Sequence, residues 1–441
     1  MAQSIQRLPQ GRINHLQKKL LFTLLFLAIF RIGVHIPIGG VDTYRLGEFF
    51  HTQGANLLGM FNMFSGGALE RFSIFALGVM PYISASIIAQ LLTVVVPHLE
   101  MLSKEGEAGR RKITQYTRYG TVILALFQGY MIANTLEKTQ FGGGDLVLSG
   151  GIGWKLLTTV SLTAGTAFVM WLGEQITERG VGNGISLIIF AGIVAGLPGI
   201  IGNTYSQYSS QQMDLFRIIA IIAVCVAVVA GVVFMEQGAR QIPIQYAKRQ
   251  VGRKIYGGQA SHLPIRVNSA GVLPPIFASS LLQFPVTAAV MAPQSTLGQY
   301  FGEMFIPGGW LYNAVYVALI VFFSYFYTSI VFKADDVAEN LKKHGGFVPG
   351  VRPGARTAEY FHKILNRLTL VGAIYLAAIC VLPTILTGKF DVQFYFGGTS
   401  LLIVVGVALE TFRQIDAHRQ SLRYEAFMGK TTIRPRRGGG V

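Results

Sequence analysis

Charge is what this sequence has least of. Only 13% of its 441 residues are Asp, Glu, Lys or Arg, about half the share found in soluble globular domains. A single large water-soluble core is therefore excluded as the whole architecture. Acid is scarcer than base: 21 Asp and Glu stand against 37 Lys and Arg, leaving a net charge of +16. Cysteine is nearly absent. Cys225 and Cys380 each sit in the middle of an apolar run, so no structural disulfide is expected and neither residue reports a redox compartment. There is no Gly-x4-Gly-Lys-Ser/Thr loop, so the chain should not itself hydrolyse ATP. His-Glu-x-x-His and His/Cys groups at metal-ligand spacing are missing too, so no metal, no cofactor and no enzymatic activity are expected.

What is present is a series of long apolar runs. Half of the residues are hydrophobic (51%), and many uncharged stretches exceed the about 17 residues that a short membrane-crossing helix needs. Ten such segments are read, at about 20–36, 73–96, 119–136, 156–173, 184–201, 218–235, 269–292, 310–332, 368–386 and 394–409. The first, Leu20 to Ile36, lacks a small-residue cleavage pattern and is expected to act as an anchor, not a removable leader. Both termini and the loops on the same side collect 30 of the 37 Lys and Arg. The positive-inside rule then places both termini in the cytoplasm of a multi-pass membrane protein.

Ten crossings divide as five and five, and an odd number per half forces the second half to be inverted relative to the first. The expected architecture is all-α, ten transmembrane helices in two inverted five-helix halves around a central pore. Its expected divisions are a cytoplasmic N-terminal segment (1–19), an N-terminal half (20–202), a C-terminal half (203–412) with cytoplasmic loops at 236–266 and 333–367, and a basic tail (413–441). Gly78 and Pro81 early in the second span, Pro285 in the seventh and Pro383 in the ninth are breakers, read as kinks or as hinges.

The stretch from Phe61 to Pro97 stands apart. Its second part, Phe72 to Val96, carries no charged residue and is long enough to cross. Its first part, Phe61-Asn-Met-Phe-Ser-Gly-Gly-Ala68, is too short to cross and too apolar for an exposed loop. Backbone of that kind suits a re-entrant hook shielded by protein. The second to ninth spans hold almost no interior acid or base; only Arg31 and His35 in the first and Glu410 at the end of the tenth come close. Ion-coupled transporters place ionisable groups at the midplane, so a secondary transporter or facilitator with inverted repeats is the weaker alternative. In place of charge there are branched apolar pairs. Val79 with Ile83, and Ile185 with Ile189, are four apart and share a helix face. Such pairs fit simple packing, or a ring that closes a water pore by dewetting.

The basic loops are longer than orientation requires. In one, Ile242, Ile244 and Tyr246 alternate, which predicts an extended arm or hairpin with Lys248, Arg249, Arg253 and Lys254 at its tip. The other runs Gly345-Gly-Phe-Val-Pro-Gly-Val-Arg-Pro-Gly354 and holds Arg352 between Val351 and Pro353. Both suit docking of an RNA-rich or acidic partner, or of anionic lipid.

Several motifs together are specific. Phe61 to Ala68, Met80-Pro-Tyr-Ile-Ser-Ala-Ser86, Gly106 to Gly120, Gly182-Asn-Gly-Ile-Ser186 and Gly350-Val-Arg-Pro-Gly354 closely resemble the SecY family, the pore subunits of the bacterial general protein translocase. The resemblance runs over residues 10–425. It implies a channel in the bacterial inner membrane that translocates unfolded secretory polypeptides and releases transmembrane segments sideways into lipid. It implies a plug formed by Asn62, Met63, Phe64, Ser65, Gly66, Gly67, Ala68 and Leu69, and a pore ring formed by Val79, Ile83, Ile185, Ile189, Ile276 and Ile403. Spans 2, 3, 7 and 8 would form a lateral gate, with Ser84, Ser86, Gln90, Thr93, Gln128, Asn268 and Ser280 as polar candidates at its seam. The implied partners are SecE and SecG in a heterotrimer, the ATPase SecA, the ribosome with its RNA, signal sequences and nascent polypeptides. SecA or the ribosome would bind at Lys248, Arg249, Arg253, Lys254 and Arg352.

Overall fold

Backbone that crosses lipid has to satisfy its own hydrogen bonds, which leaves helices for a chain with these apolar runs. The computed structural model describes residues 10–53, 62, 65–141, 144–148, 150–210, 214–246, 249–251, 254–256, 260–291, 304, 309–390 and 398–428. Among them, ten helices of 16 residues or more follow the ten apolar segments. In chain order the helices are α1 (Gln10–Gly33), the short α2 (Thr43–Gln53), α3 (Met80–Val95), the short α4 (Pro97–Lys104), α5 (Glu107–Lys138), α6 (Ile152–Arg179), α7 (Gly184–Ser209) and α8 (Leu215–Gln237). They continue with α9 (Leu273–Met291), α10 (Trp310–Val331), the short α11 (Ala334–Lys343), α12 (Ala355–Phe390) and α13 (Gly398–Met428).

The packing repeats. In the first half α3 packs on α5, α5 on α6, α6 on α7, α3 on α6 and α1 on α7. Shifted by five crossings, the same contacts recur as α9 on α10, α10 on α12, α12 on α13, α9 on α12 and α8 on α13. Five crossings per half make this an inverted repeat. The halves meet along two flanks, α7 against α13 on one and α9 against α3 and α5 on the other. Among the described residues, six helices qualify as crossings alone by length and apolar content, and a seventh if α3 and α4, bent by 99°, count as one. Several helices outrun their apolar segments: α5 begins at Glu107, α12 at Ala355, and α13 continues to Met428. The divisions drawn at 202 and 412 thus fall inside α7 and α13.

The second segment departs from its expected form. A single span over 73–96 was expected, but helix begins only at Met80. Residues 73–79 are turns, because the backbone passes through left-handed geometry at Phe72 (φ 46°) and Gly78 (φ 56°). The turns are buried, and they are paired: Ile38 N donates to Phe72 O at 2.9 Å and Ile74 N to Ile36 O at 3.1 Å. Pro81 is likewise no kink. It occupies the first turn of α3, where its missing N–H has no helical acceptor to lose. Pro285 and Pro383 do lie inside helices, α9 and α12.

Those turns press backbone-first on α6. A Cβ added to Gly165 would stand 1.8 Å from the Ile74 carbonyl oxygen. Gly165→Val is therefore expected to displace the 73–79 turns, at about 1–3 kcal/mol for overpacking. The check is the melting temperature of the purified protein, which should fall; an unchanged value refutes this account of the contact.

The expected arm is present. β3 (Ala239–Tyr246) pairs antiparallel with β6 (Ala260–Arg266), and β4 (Arg249–Val251) with β5 (Lys254–Tyr256) toward its tip. Ile242 and Ile244 point inward and are buried, while Tyr246 is more exposed. Among the described residues, counting the short pair β1 (Gln140–Phe141) and β2 (Gly144–Asp145) earlier in the chain, one more strand remains, β7 (Gly346–Phe347) from the following loop. It adds to the free edge of β3, with Gln245 opposite Phe347 and Tyr246 opposite Gly346. The two basic loops are one three-stranded sheet.

Candidate functional site

Val79, Ile83, Ile189, Ile276 and Ile403 are buried members of one hydrophobic cluster, and Ile185 packs against it half-buried. They arrive from four helices, two in each half. Val79 caps the start of α3, and its carbonyl accepts from Ile83 N at 3.0 Å, which stacks the two side chains one turn apart. Ile185 and Ile189 are aimed by the Gly182-Asn-Gly-Ile-Ser186 turn. The Asn183 side chain accepts from Ile185 N at 3.2 Å to cap α7, and Thr177 Oγ1 accepts from Gly184 N at 2.8 Å. Gly182 N donates to Gln414 Oε1 of α13 at 2.9 Å, which ties the halves together on the α7–α13 flank. Ile276 lies near the start of α9 and Ile403 near the start of α13. Chemically, six branched apolar side chains can seal against water; they offer a polar chain nothing to bind.

The hook lies against this cluster. Ala68 belongs to the same cluster, whereas Leu69 and Phe72 belong to a second one with Ile38, Val41 and Leu46 around α2. The hook closes on itself: Gly67 N donates to Asn62 O at 2.8 Å, Glu70 N to Asn62 Oδ1 at 2.9 Å, and Ser65 Oγ to Asn62 O at 3.0 Å. Gly66 and Gly67 take positive φ (71° and 83°) that larger residues rarely adopt. Met63 and Phe64 lie outside the described residues. Arg31, near the end of α1, reaches the hook: its Nη1 donates to Gly66 O at 2.7 Å. The signal was there, a guanidinium in an apolar segment, but its partner lies 35 residues on.

A protein-family model for SecY matches residues 73–412. The chain belongs to the SecY family. The protein translocase subunit SecY of Vibrio cholerae is 50% identical over 434 residues, covering 97% of either chain. Two solved structures share the fold, at 18% and 15% identity. One, described by the plug domain of a SecY protein that stabilises the closed state of its channel, has a TM-score of 0.66 and covers 97% of this chain and 96% of its own. The other, Sec61 in a canine ribosome–channel complex, has a TM-score of 0.64 with the same coverage. The SecY family is a family of multi-pass membrane translocase subunits, not of enzymes.

In this SecY-family chain the polar seam candidates separate into two groups. Ser84, Ser86, Gln90 and Thr93 lie on α3, Gln128 on α5 and Ser280 on α9, the three helices that meet on the second flank. Ser84 Oγ, Gln90 Oε1, Gln128 Oε1 and Ser280 Oγ are buried with no hydrogen-bond partner among the described residues. Each such atom costs about 1–3 kcal/mol when shut away from water, a cost that an apolar seam would not carry. Asn268 is different. It donates to Glu236 Oε1 at 2.5 Å and to Gly271 O at 3.0 Å, and Arg413 donates to Glu236 O at 2.7 Å. It braces the base of the hairpin to α8 and α13 within the C-terminal half. Glu236 was missed because, at the end of an apolar run, it reads as a boundary charge.

The three-stranded sheet rests on its own apolar core, in which Ile242 and Ile265 meet Ala338, Val348, Phe361 and Ile364. Arg352 is exposed beside it, in a loop held by Thr357 Oγ1 donating to Arg352 O at 2.9 Å. Nearby Lys343 is engaged by Glu339 at 2.9 Å, which holds that carboxyl below its usual range, and Arg356 by Glu359 at 3.4 Å. Among the described residues no carboxylate pairs with Arg352. Arg249 stands opposite Tyr256 and Lys254 opposite Val251 in the hairpin register. Lys248 and Arg253 lie outside the described residues.

Proposed function

We propose that the chain conducts unfolded secretory polypeptides across the bacterial inner membrane and releases transmembrane segments sideways into lipid. The observation that carries this reading is convergence: ring candidates from both halves share one apolar cluster, and Ala68 of the hook packs into it. Val79, Ile83, Ile185, Ile189, Ile276 and Ile403 act as a compliant gasket, and residues 62–69 as the plug. The flank where α3 and α5 face α9 acts as the lateral gate, and its unpartnered polar atoms favour opening toward a wet or peptide-filled state. A segment leaves for lipid by partitioning, at about −0.3 to −0.6 kcal/mol per Leu, Ile, Phe or Val at the helix centre.

Both termini and the three-stranded sheet face the cytoplasm. There Arg352 and the tip residues Lys248, Arg249, Arg253 and Lys254 dock SecA or the RNA of the ribosome, since guanidinium and ammonium groups serve carboxylate and phosphate alike. SecE and SecG complete a heterotrimer, and anionic lipid meets the remaining bases. The outer face of α8, whose Phe216, Ile219, Ile222 and Val226 are exposed, suits lipid or a partner's helix.

Site-specific photocrosslinkers at Ile83 and at Ile276 test the path. With a secretory chain arrested in transit, both positions are expected to form adducts with it. No adduct at either position, with small-solute flux in its place, overturns the reading in favour of a transporter.

A further inference from the structure

Arg31 belongs to neither the gasket, the gate nor the docking surface. It sits in the last turn of α1, three residues before Val34 of the ring cluster, and donates to the Gly66 carbonyl at 2.7 Å. The acceptor is backbone, so the bond fixes the path of the hook whatever side chains the hook carries. On its other side the same glycine meets α7: a Cβ on Gly66 would stand 2.9 Å from Gly192 Cα. Gly66 is thus held between the guanidinium of α1 and the backbone of α7. The hook's internal bonds, from Asn62 to Gly67, Ser65 and Glu70, make it a unit that can move as one body. Where that body sits is then decided by its contacts with the walls. Most of these are apolar and non-directional; the bond from Arg31 is directional and charge-assisted.

We propose that Arg31 is the latch of the plug, a positioning residue that sets how stringently the resting channel stays closed and which signal sequences can open it. The inference rests on residues 62–69 being the plug. A guanidinium hydrogen bond lost from the closed state alone shifts the closed-to-open ratio about ten- to a hundredfold. A polypeptide whose signal sequence is too weak to open the wild-type channel would then be exported.

The test is a cycle of full-length chains in the reconstituted complex: wild type, Arg31→Met, a chain lacking residues 62–69, and the two changes combined. Resting ion conductance is read in bilayers, and export of a reporter with a crippled signal sequence is read in parallel. Arg31→Met is expected to raise both about tenfold in the intact chain, and to add nothing once residues 62–69 are gone. Arg31→Lys, which keeps charge but not the fork, is expected to fall between. An equal rise in both backgrounds means that Arg31 supports the wall and not the hook, which overturns the latch, as does no rise in the intact chain. A deletion that by itself leaves conductance at the wild-type level overturns the plug reading instead, and the two failures are separate measurements.

Discussion

Ile403→Asn is expected to raise the resting ion conductance of the reconstituted channel about tenfold or more, and to admit polypeptides with defective signal sequences. The reason is burial. Ile403 is 1% exposed and Ile276 5% exposed within the cluster where the two halves meet. An amide placed there in the closed state is shut away from water at about 1–3 kcal/mol, whereas in an open, wetted pore the same amide is solvated. The closed state alone is destabilised, which shifts the closed-to-open ratio by about ten- to a hundredfold. Ile276→Asn should behave alike. Ile185→Asn should do less, since Ile185 packs at the edge of the cluster and is already half-exposed. Single-channel conductance and a signal-stringency assay on the three variants check the order. Equal, wild-type behaviour at Ile276 and Ile403 would show that these residues pack the helices and do not gate them.

Arg352→Glu is expected to cut motor-driven transport at least about tenfold while leaving the amount and melting temperature of the complex unchanged. Arg352 is exposed, so its replacement should alter stability by no more than about 0.5 kcal/mol. Its backbone position depends instead on Gly350 and Gly354, both at positive φ, and on the Thr357 hydroxyl. Reversal of one charge at a desolvated contact with an acidic partner commonly costs about 2–5 kcal/mol of binding. Binding of SecA and of ribosomes to the variant complex, followed as a function of salt, separates the two partners. Unchanged affinity for both removes Arg352 from the docking surface. Reversal of Arg356 is a contrasting case, because Glu359 already accompanies that residue at 3.4 Å, and a weaker effect is expected there.

How far the sequence could be read varies by element. The apolar runs at 156–173, 310–332 and their companions needed no partner to be recognised, since crossing lipid imposes length and composition on each run alone. The hook was legible for a similar reason: Phe61 to Ala68 is too short for one environment and too apolar for the other. Val79 with Ile83 was a pair but not a ring, because four-residue spacing marks a shared face and says nothing of what the face meets. The break at 73–79 was invisible. Its apolar composition matches a helix, and the left-handed turn at Phe72 is held by bonds to residues 36–38 that no local window contains.

Sequence alone determined the apolar segments, the clustering of the bases in alternate loops and the termini, the odd five-and-five division and the absence of a Gly-x4-Gly-Lys-Ser/Thr loop. These are properties of composition and order, which the bilayer reads one segment at a time. Tertiary structure decided what those segments share. It brought residues from α3, α7, α9 and α13 into one apolar cluster, joined two basic loops through β3 and β7 into one sheet, and set Arg31 on the Gly66 carbonyl. Each of these links groups that are distant along the chain, and their energy exists only once packing has brought them together.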